Sequence, residues 1–329
     1  MKTFRTEIKI EPAPKPIDYD AHLFFMGSCF ASNIGDFFAT HSLNTLVNPF
    51  GVLYNPFSIA NSLERLLNNQ TFAKADLLVE NGCYHTFYHH SQFNAETEHD
   101  FLRVANAAIE TGRKFLKQTN VLVFTFGTAW VYQHKELEMI VSNCHKYPAA
   151  DFDRYRLQVN EIVERYQRLL TDILSINPSV QFIFTVSPVR HWKDGAHGNQ
   201  LSKSALLLAI DELVKDFSSS ANYFPSYEIL LDELRDYRFF ADDMLHPSEQ
   251  AVGFIREKFI ESQYTQEGRA FINKVEKLFK AASHRPFNPN ADAHQRFVKK
   301  HIEKVDALQK EYGNVNLSTL KERFAVQLK

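Results

Sequence analysis

Ser28, in "FFMGSCFASNIGDFF" (24–38), and the pair Asp243 and His246, in "YRFFADDMLHPSEQAVGF" (237–254), are residues whose types could together do acyl chemistry. A nucleophilic serine needs a base to take its proton, a group to orient that base, and donors for the oxyanion. Asp243 and His246 are three apart and precede Pro247 and a helical pattern, so one short loop can present both. The carboxylate can then hold one imidazole nitrogen while the other faces a hydroxyl. Each half is weak evidence alone. Ser28 would also serve as a helix N-cap, and Asp-x-x-His also occurs as a surface ion pair or a helix cap. The combination says far more than either.

Positioning these residues falls to strands and helices. "HLFFMG" (22–27), "NVLVFTFG" (120–127), "VQFIFTVSP" (180–188) and, less clearly, "ANYFPSYEIL" (221–230) are near-continuous apolar runs of the kind that fills a parallel sheet covered on both faces. Between them lie helical spacings. In 151–178, Leu157, Ile162, Tyr166, Leu169, Leu170 and Ile173 fall near one face before Pro178 ends the pattern, and 199–217 and 248–262 behave alike. Strand alternating with long helix implies right-handed crossovers and a three-layer α/β/α, doubly wound parallel sheet, in which ligands sit at the carboxyl ends of the strands. If "HLFFMG" is the first strand and "CFASNIGDFF" opens the first helix, Ser28 lies at such an end. There unpaired backbone N–H groups and the positive end of the helix dipole converge.

The motif "GSCFA" (27–31), followed in order by "NPFGVLYNP" (48–56), "HHSQF" (89–93), "FTFGTAWVY" (124–132), "TVSPVRHW" (185–192) and "ADDMLHPS" (241–248), resembles the GSCFA domain family of the SGNH, or GDSL-like, hydrolase superfamily over roughly residues 20–262. The resemblance implies an α/β/α fold with Ser28 as nucleophile, His246 as general base and Asp243 as its orienter. It also implies an oxyanion hole formed by the N–H of Ser28, the N–H of a glycine, matched by Gly51, and an asparagine side chain. Ala129 stands where that asparagine is expected. Thr128, Asn48 or Asn55 could supply the third donor, and Thr128 is preferred because it ends the second predicted strand beside the first. Asn48 and Asn55, with His89, His90, Arg190 and Trp192, are the candidate substrate contacts. Gly51 is equally readable as a turn glycine, Thr128 as a strand-ending cap, and the histidine and tryptophan loops as exposed loops.

Other chemistry is less well supported. Cys29 could be a nucleophile at a helix start, although Ser28 and Cys29 would not both aim at one histidine. The cluster "CYHTFYHHSQF" contains His85, His89 and His90 but no carboxylate or cysteine at ligand spacing, so no metal is expected. No cofactor is implied. His191 and His197, in "RHWKDGAHGNQ", read as cleft wall.

The 329 residues are 44% hydrophobic with a net charge of -2, enough to bury a large core and without the basic field that nucleic acid favours. There is no apolar signal stretch and no run long enough to span a membrane, and three scattered cysteines suit a reducing compartment. A cytoplasmic protein is expected. The division expected is a hydrolase-like domain over 1–263 and a helical extension over 264–329, which from residue 265 carries a net +6. Its apolar stripes (Phe271, Val275, Leu278; Val298, Ile302, Val305, Leu308, Tyr312; Leu317, Leu320, Phe324, Leu328) need cover, either from the α/β domain or from a second copy of the chain. The leading expectation is an esterase for small acyl, first of all acetyl, esters of carbohydrates. A glycan O-acyltransferase and a non-catalytic glycan-binding or assembly protein on the same fold remain open.

Overall fold

Residues 5–328 are described by a computed structural model. The strands among them are β1 (Leu23–Gly27), β2 (Thr45–Val47), β3 (Leu78–Glu80), β4 (Cys83–His85), β5 (Val121–Phe126), β6 (Trp130–His134), β7 (Met139–Ile140), β8 (Phe152–Arg156), β9 (Gln181–Val186) and β10 (Ala221–Tyr223). The helices are α1 (Cys29–Thr40), α2 (Pro56–Leu67), α3 (Glu98–Gln118), α4 (Val159–Ile176), α5 (Gly195–Asp216), the single turn α6 (Ser226–Glu228), α7 (Glu249–Gln263), α8 (Gln266–Ala282), α9 (Asp292–Glu311) and α10 (Ser318–Ala325).

The central sheet is parallel throughout, in the order β10-β9-β5-β1-β2. The chain therefore builds outward from β1 to one edge through β2, then returns to build the other side from β5. This reversal puts the topological switch point between β1 and β5, where a doubly wound sheet opens a crevice at its carboxyl ends. Gly27 pairs with Thr125 there.

Period-2 alternation sends the strand side chains to two cores. Phe24, Met26, Leu122, Phe124, Phe126, Phe182 and Phe184 pack with the apolar faces of α2, α3, α4 and α5. Leu23, Phe25, Val121, Val123 and Ile183 pack with α1, α7 and the C-terminal helices. The tail's stripes are thus covered within the chain. Val298, Val305, Leu317, Leu320 and Phe324 are fully buried, and Ile302 and Leu328 partly so.

Several expected elements differ. Only Ala221–Tyr223 of 221–230 is a strand. Pro225, which has no N–H for a ladder, is followed by α6 and a π-helical turn, Ile229–Glu233, that buries Ile229 and Leu230. The helix expected across 151–178 begins at Val159, because Phe152–Arg156 pairs with β6 in an antiparallel sheet of β7, β6 and β8. Leu157 precedes that helix, its N–H bonded to the Ala129 carbonyl.

Candidate active site

Gly27 makes the site's backbone possible. Its φ is +143°, and a Cβ there would lie 2.2 Å from the Thr125 carbonyl oxygen, so no side chain fits where β1 meets β5. Its N–H donates to Asn48 Oδ1 at 2.8 Å and its carbonyl accepts from Leu53 at 2.9 Å. Ser28 then occupies the N-cap position of α1 without capping it, since its side chain makes no cap hydrogen bond. The hydroxyl is buried and has no partner among the described residues; Ser28 is 2% exposed. An unpartnered buried hydroxyl costs about 1–3 kcal/mol, and an ester carbonyl or a base reaching it would recover this. In this conformation the hydroxyl is closed off from solvent.

Asp243 and His246 are joined. Asp243 Oδ2 lies 2.6 Å from His246 Nδ1, while Oδ1 accepts from the N–H groups of His246 and Leu245, each at 2.9 Å. The His246 amide, then the Leu245 amide and the imidazole, lower the carboxyl to about 2, so it stays ionised. The loop is closed at its neck, where Ala241 N–H donates to the His246 carbonyl and Ser248 N–H to the Phe239 carbonyl, both at 2.8 Å. Both side chains of the pair are about half exposed.

The backbone donors expected for an oxyanion hole are all engaged. Ser28 N–H donates to Thr125 O (3.1 Å), Gly51 N–H to Asn48 O (2.8 Å), and Thr128 N–H to Tyr54 O (2.9 Å), which Gly127 N–H also uses (2.8 Å). The Thr128 hydroxyl accepts from Trp130 N–H and pairs with Ser202 Oγ. Burial raises the Cys29 thiol above its ordinary value, outweighing the lowering effect of the Phe30 and Cys29 amides. A protonated thiol is a weak nucleophile.

The other candidates divide. Asn48 is used inside the fold, accepting from Gly27 and donating to Ser32 Oγ at 2.9 Å, so its amide is not available to a substrate. Asn55 caps α2 by accepting from Ser58 N–H at 2.8 Å, and it also lines a cavity of about 330 Å³ together with Tyr54, Thr128, Trp130, Tyr132, Arg154 and His191. His89 is fully buried, bonded through Nδ1 to Thr86 Oγ1 at 2.7 Å, and is not a cleft residue. His90 caps the turn Ser91–Phe93. Arg190 and the half-exposed Trp192 line a separate cavity of about 440 Å³ that reaches Asp243. Among the described residues no group of three or more histidine, cysteine or acidic side chains is arranged to hold a metal ion, and no helix is long and apolar enough to cross a membrane.

Two residues beside Gly127 have surroundings that the sequence did not reveal. Lys203, on α5, is fully buried and donates from Nζ to the carbonyls of Gly127 and Ser187, each at 2.7 Å, tying the ends of β5 and β9 together. Burial lowers its ammonium to about 7. The available signal was a lysine on the apolar stripe that continues through Leu206, Ile210 and Leu213. His191, read only as cleft wall, stands beside Gly127, and the charge of His246 acts on its ring.

Residues 22–259 match the model of the GSCFA family. The chain belongs to the GSCFA family. Residues 275–329 match a second description, the C-terminal domain of GSCFA domain proteins, so GSCFA architecture accounts for the sheet and for the helical tail. No functionally curated protein matches the chain. Among solved structures, similarity extends to a provisionally named platelet activating factor from Streptococcus pneumonia, at 11% identity, TM-score 0.37, covering 74% of this chain and 85% of that one. It extends also to a carbohydrate esterase family 3 protein from Talaromyces cellulolyticus, at 11% identity, TM-score 0.26, covering 51% and 67%.

Proposed function

We propose that this GSCFA chain is a serine esterase of the SGNH type that cleaves small acyl esters, with acetylated carbohydrates the first class to test. Ser28 attacks the ester carbonyl, His246 receives the hydroxyl proton and returns it to the leaving alcohol, and Asp243 fixes the imidazole and offsets its charge. Water then takes the place of the alcohol and releases the acyl group. The observation that carries this reading is the Asp243–His246 pair, with a carboxylate held by two amides and bonded to Nδ1 at 2.6 Å, leaving Nε2 for a substrate or a serine. The unpartnered Ser28 hydroxyl at the switch point is its complement. Three free cysteines fit the cytoplasmic location we infer.

A second reading is a glycan-binding protein without turnover, favoured by the closed hydroxyl and the engaged amides of Ser28, Gly51 and Thr128. Incubating wild type, Ser28→Ala and Cys29→Ala with a chromogenic acetyl ester and with acetylated oligosaccharides separates the two. Turnover in wild type and Cys29→Ala but not in Ser28→Ala is expected for the esterase. Binding of the oligosaccharides with no release of acetate would leave only the second.

A further inference from the structure

Gly127 stands between two groups that the roles above leave unconnected. A Cβ built on it would lie 3.5 Å from the Ser28 Cβ and 3.4 Å from His191 Nε2, so the serine side chain and the imidazole flank one bare Cα. That Cα is held firmly, its carbonyl by Lys203 and its amide by Tyr54 O. The imidazole is aimed as well. The backbone amide of His191 donates to Oδ1 of the buried Asn199 at 3.0 Å, fixing the main chain that carries the ring, and the ring itself meets Tyr54 edge-on at 5.6 Å. The ring nitrogens are bonded to none of the described residues, and His191 lines the 330 Å³ cavity with Asn55 and Thr128.

An oxyanion formed at Ser28 needs donors that are not already committed. The amides of Ser28, Gly51, Gly127 and Thr128 all serve backbone carbonyls, and Ala129 contributes only a methyl group. We propose that His191 is the side-chain donor of the oxyanion hole, presenting Nε2–H to the carbonyl oxygen as Ser28 adds to the ester; this rests on the esterase reading above. In that step the Ser28 Oγ–carbon bond forms, the hydroxyl proton passes to His246 Nε2, and the carbonyl π pair moves onto oxygen. His191 keeps its proton and donates a hydrogen bond. As the tetrahedral species collapses, the carbon–alcohol bond breaks and the alkoxide takes the proton from His246. Burial, then the Lys203 charge, lowers His191 to about 4, with His246 and Arg154 acting in the same sense and Asp194 opposing. The ring is therefore neutral at pH 7, able to donate from one nitrogen without competing with His246 for the serine proton.

The test uses the full chain and four proteins: wild type, His191→Ala, His191→Gln and Ser28→Ala. Each is assayed on a chromogenic acetyl ester across pH and labelled with a fluorophosphonate. The expected result is a kcat about 100- to 1000-fold lower in His191→Ala, with KM little changed. His191→Gln, which restores an N–H donor, recovers at least about tenfold and keeps the wild-type pH profile. In wild type phosphonylated on Ser28, the His191 Nε2 proton is expected to become visible by NMR and slow to exchange, a readout that stands even if a variant fails to fold. His191→Ala within about threefold of wild type, with Ser28 still labelled, would overturn the assignment alone. Loss of the pH profile in His191→Gln would make His191 the base and overturn it too. Absence of Ser28 labelling in wild type would overturn the parent reading and this one together.

Discussion

At the scale of single residues, identity and environment must be considered together. Asp242 and Asp243 are adjacent, but only Asp243 accepts the Leu245 and His246 amides and meets the imidazole. Asp243→Asn is therefore expected to lower kcat by about 100-fold or more, while Asp242→Asn changes it little; equal losses in the two variants would remove Asp243 from its role. The buried histidines set a pH dependence of a different kind. Burial lowers His89 to about 3 and His145 to about 4, against about 6.5 in an unfolded chain. As pH falls from about 6.5 toward 4 the unfolded state takes up protons that the folded state refuses, so stability falls by ~1.4 kcal/mol per pH unit for each of them. Asp243 works in a lower window. Its depressed carboxyl adds stability that is present above about 4 and is lost as pH falls through about 2. A melting temperature that stays flat between pH 7 and pH 5 would contradict the histidine account.

At the scale of elements, the meeting of β1 with β5 decides whether the site exists. Gly27→Ala would thrust a methyl group into the Thr125 carbonyl at a φ that side chains rarely adopt. It is expected to cost at least about 3 kcal/mol, seen as loss of soluble protein or a sharp fall in melting temperature; a variant as stable as wild type would show that the strands part easily. The strands β1, β5 and β9 were legible because sheet interiors leave apolar runs unbroken. β2, three residues long, is too short for any period to register, β10 was read but extended past its end at Tyr223, and β8 was hidden inside the 151–178 stretch read as one helix. Ser28, Asp243 and His246 could be picked out as candidates because their chemistry is local to their residue types. The engagement of Asn48 by Gly27, the burial of His89 and the Lys203 clamp depend on contacts between distant segments, which spacing along the chain does not record.

At the scale of the whole molecule, the C-terminal helices complete a core rather than add a separate appendage. Leu320 is 1% exposed, on a helix packed against α8 and α9, so Leu320→Ala is expected to cost about 2–5 kcal/mol. Because the change lies on the helical layer behind the sheet, kcat should survive; a large fall in kcat at temperatures where the variant is folded would tie the tail to the site directly. The central claim spans the same distance, that a serine early in the chain and a histidine more than two hundred positions later act in one cleft. Fluorophosphonate labelling followed by peptide mapping, in wild type and in His246→Ala, tests it most directly. The account requires the adduct on Ser28, formed at least about 100-fold more slowly without His246; an adduct on Cys29, or one on Ser28 whose rate ignores His246, would contradict it.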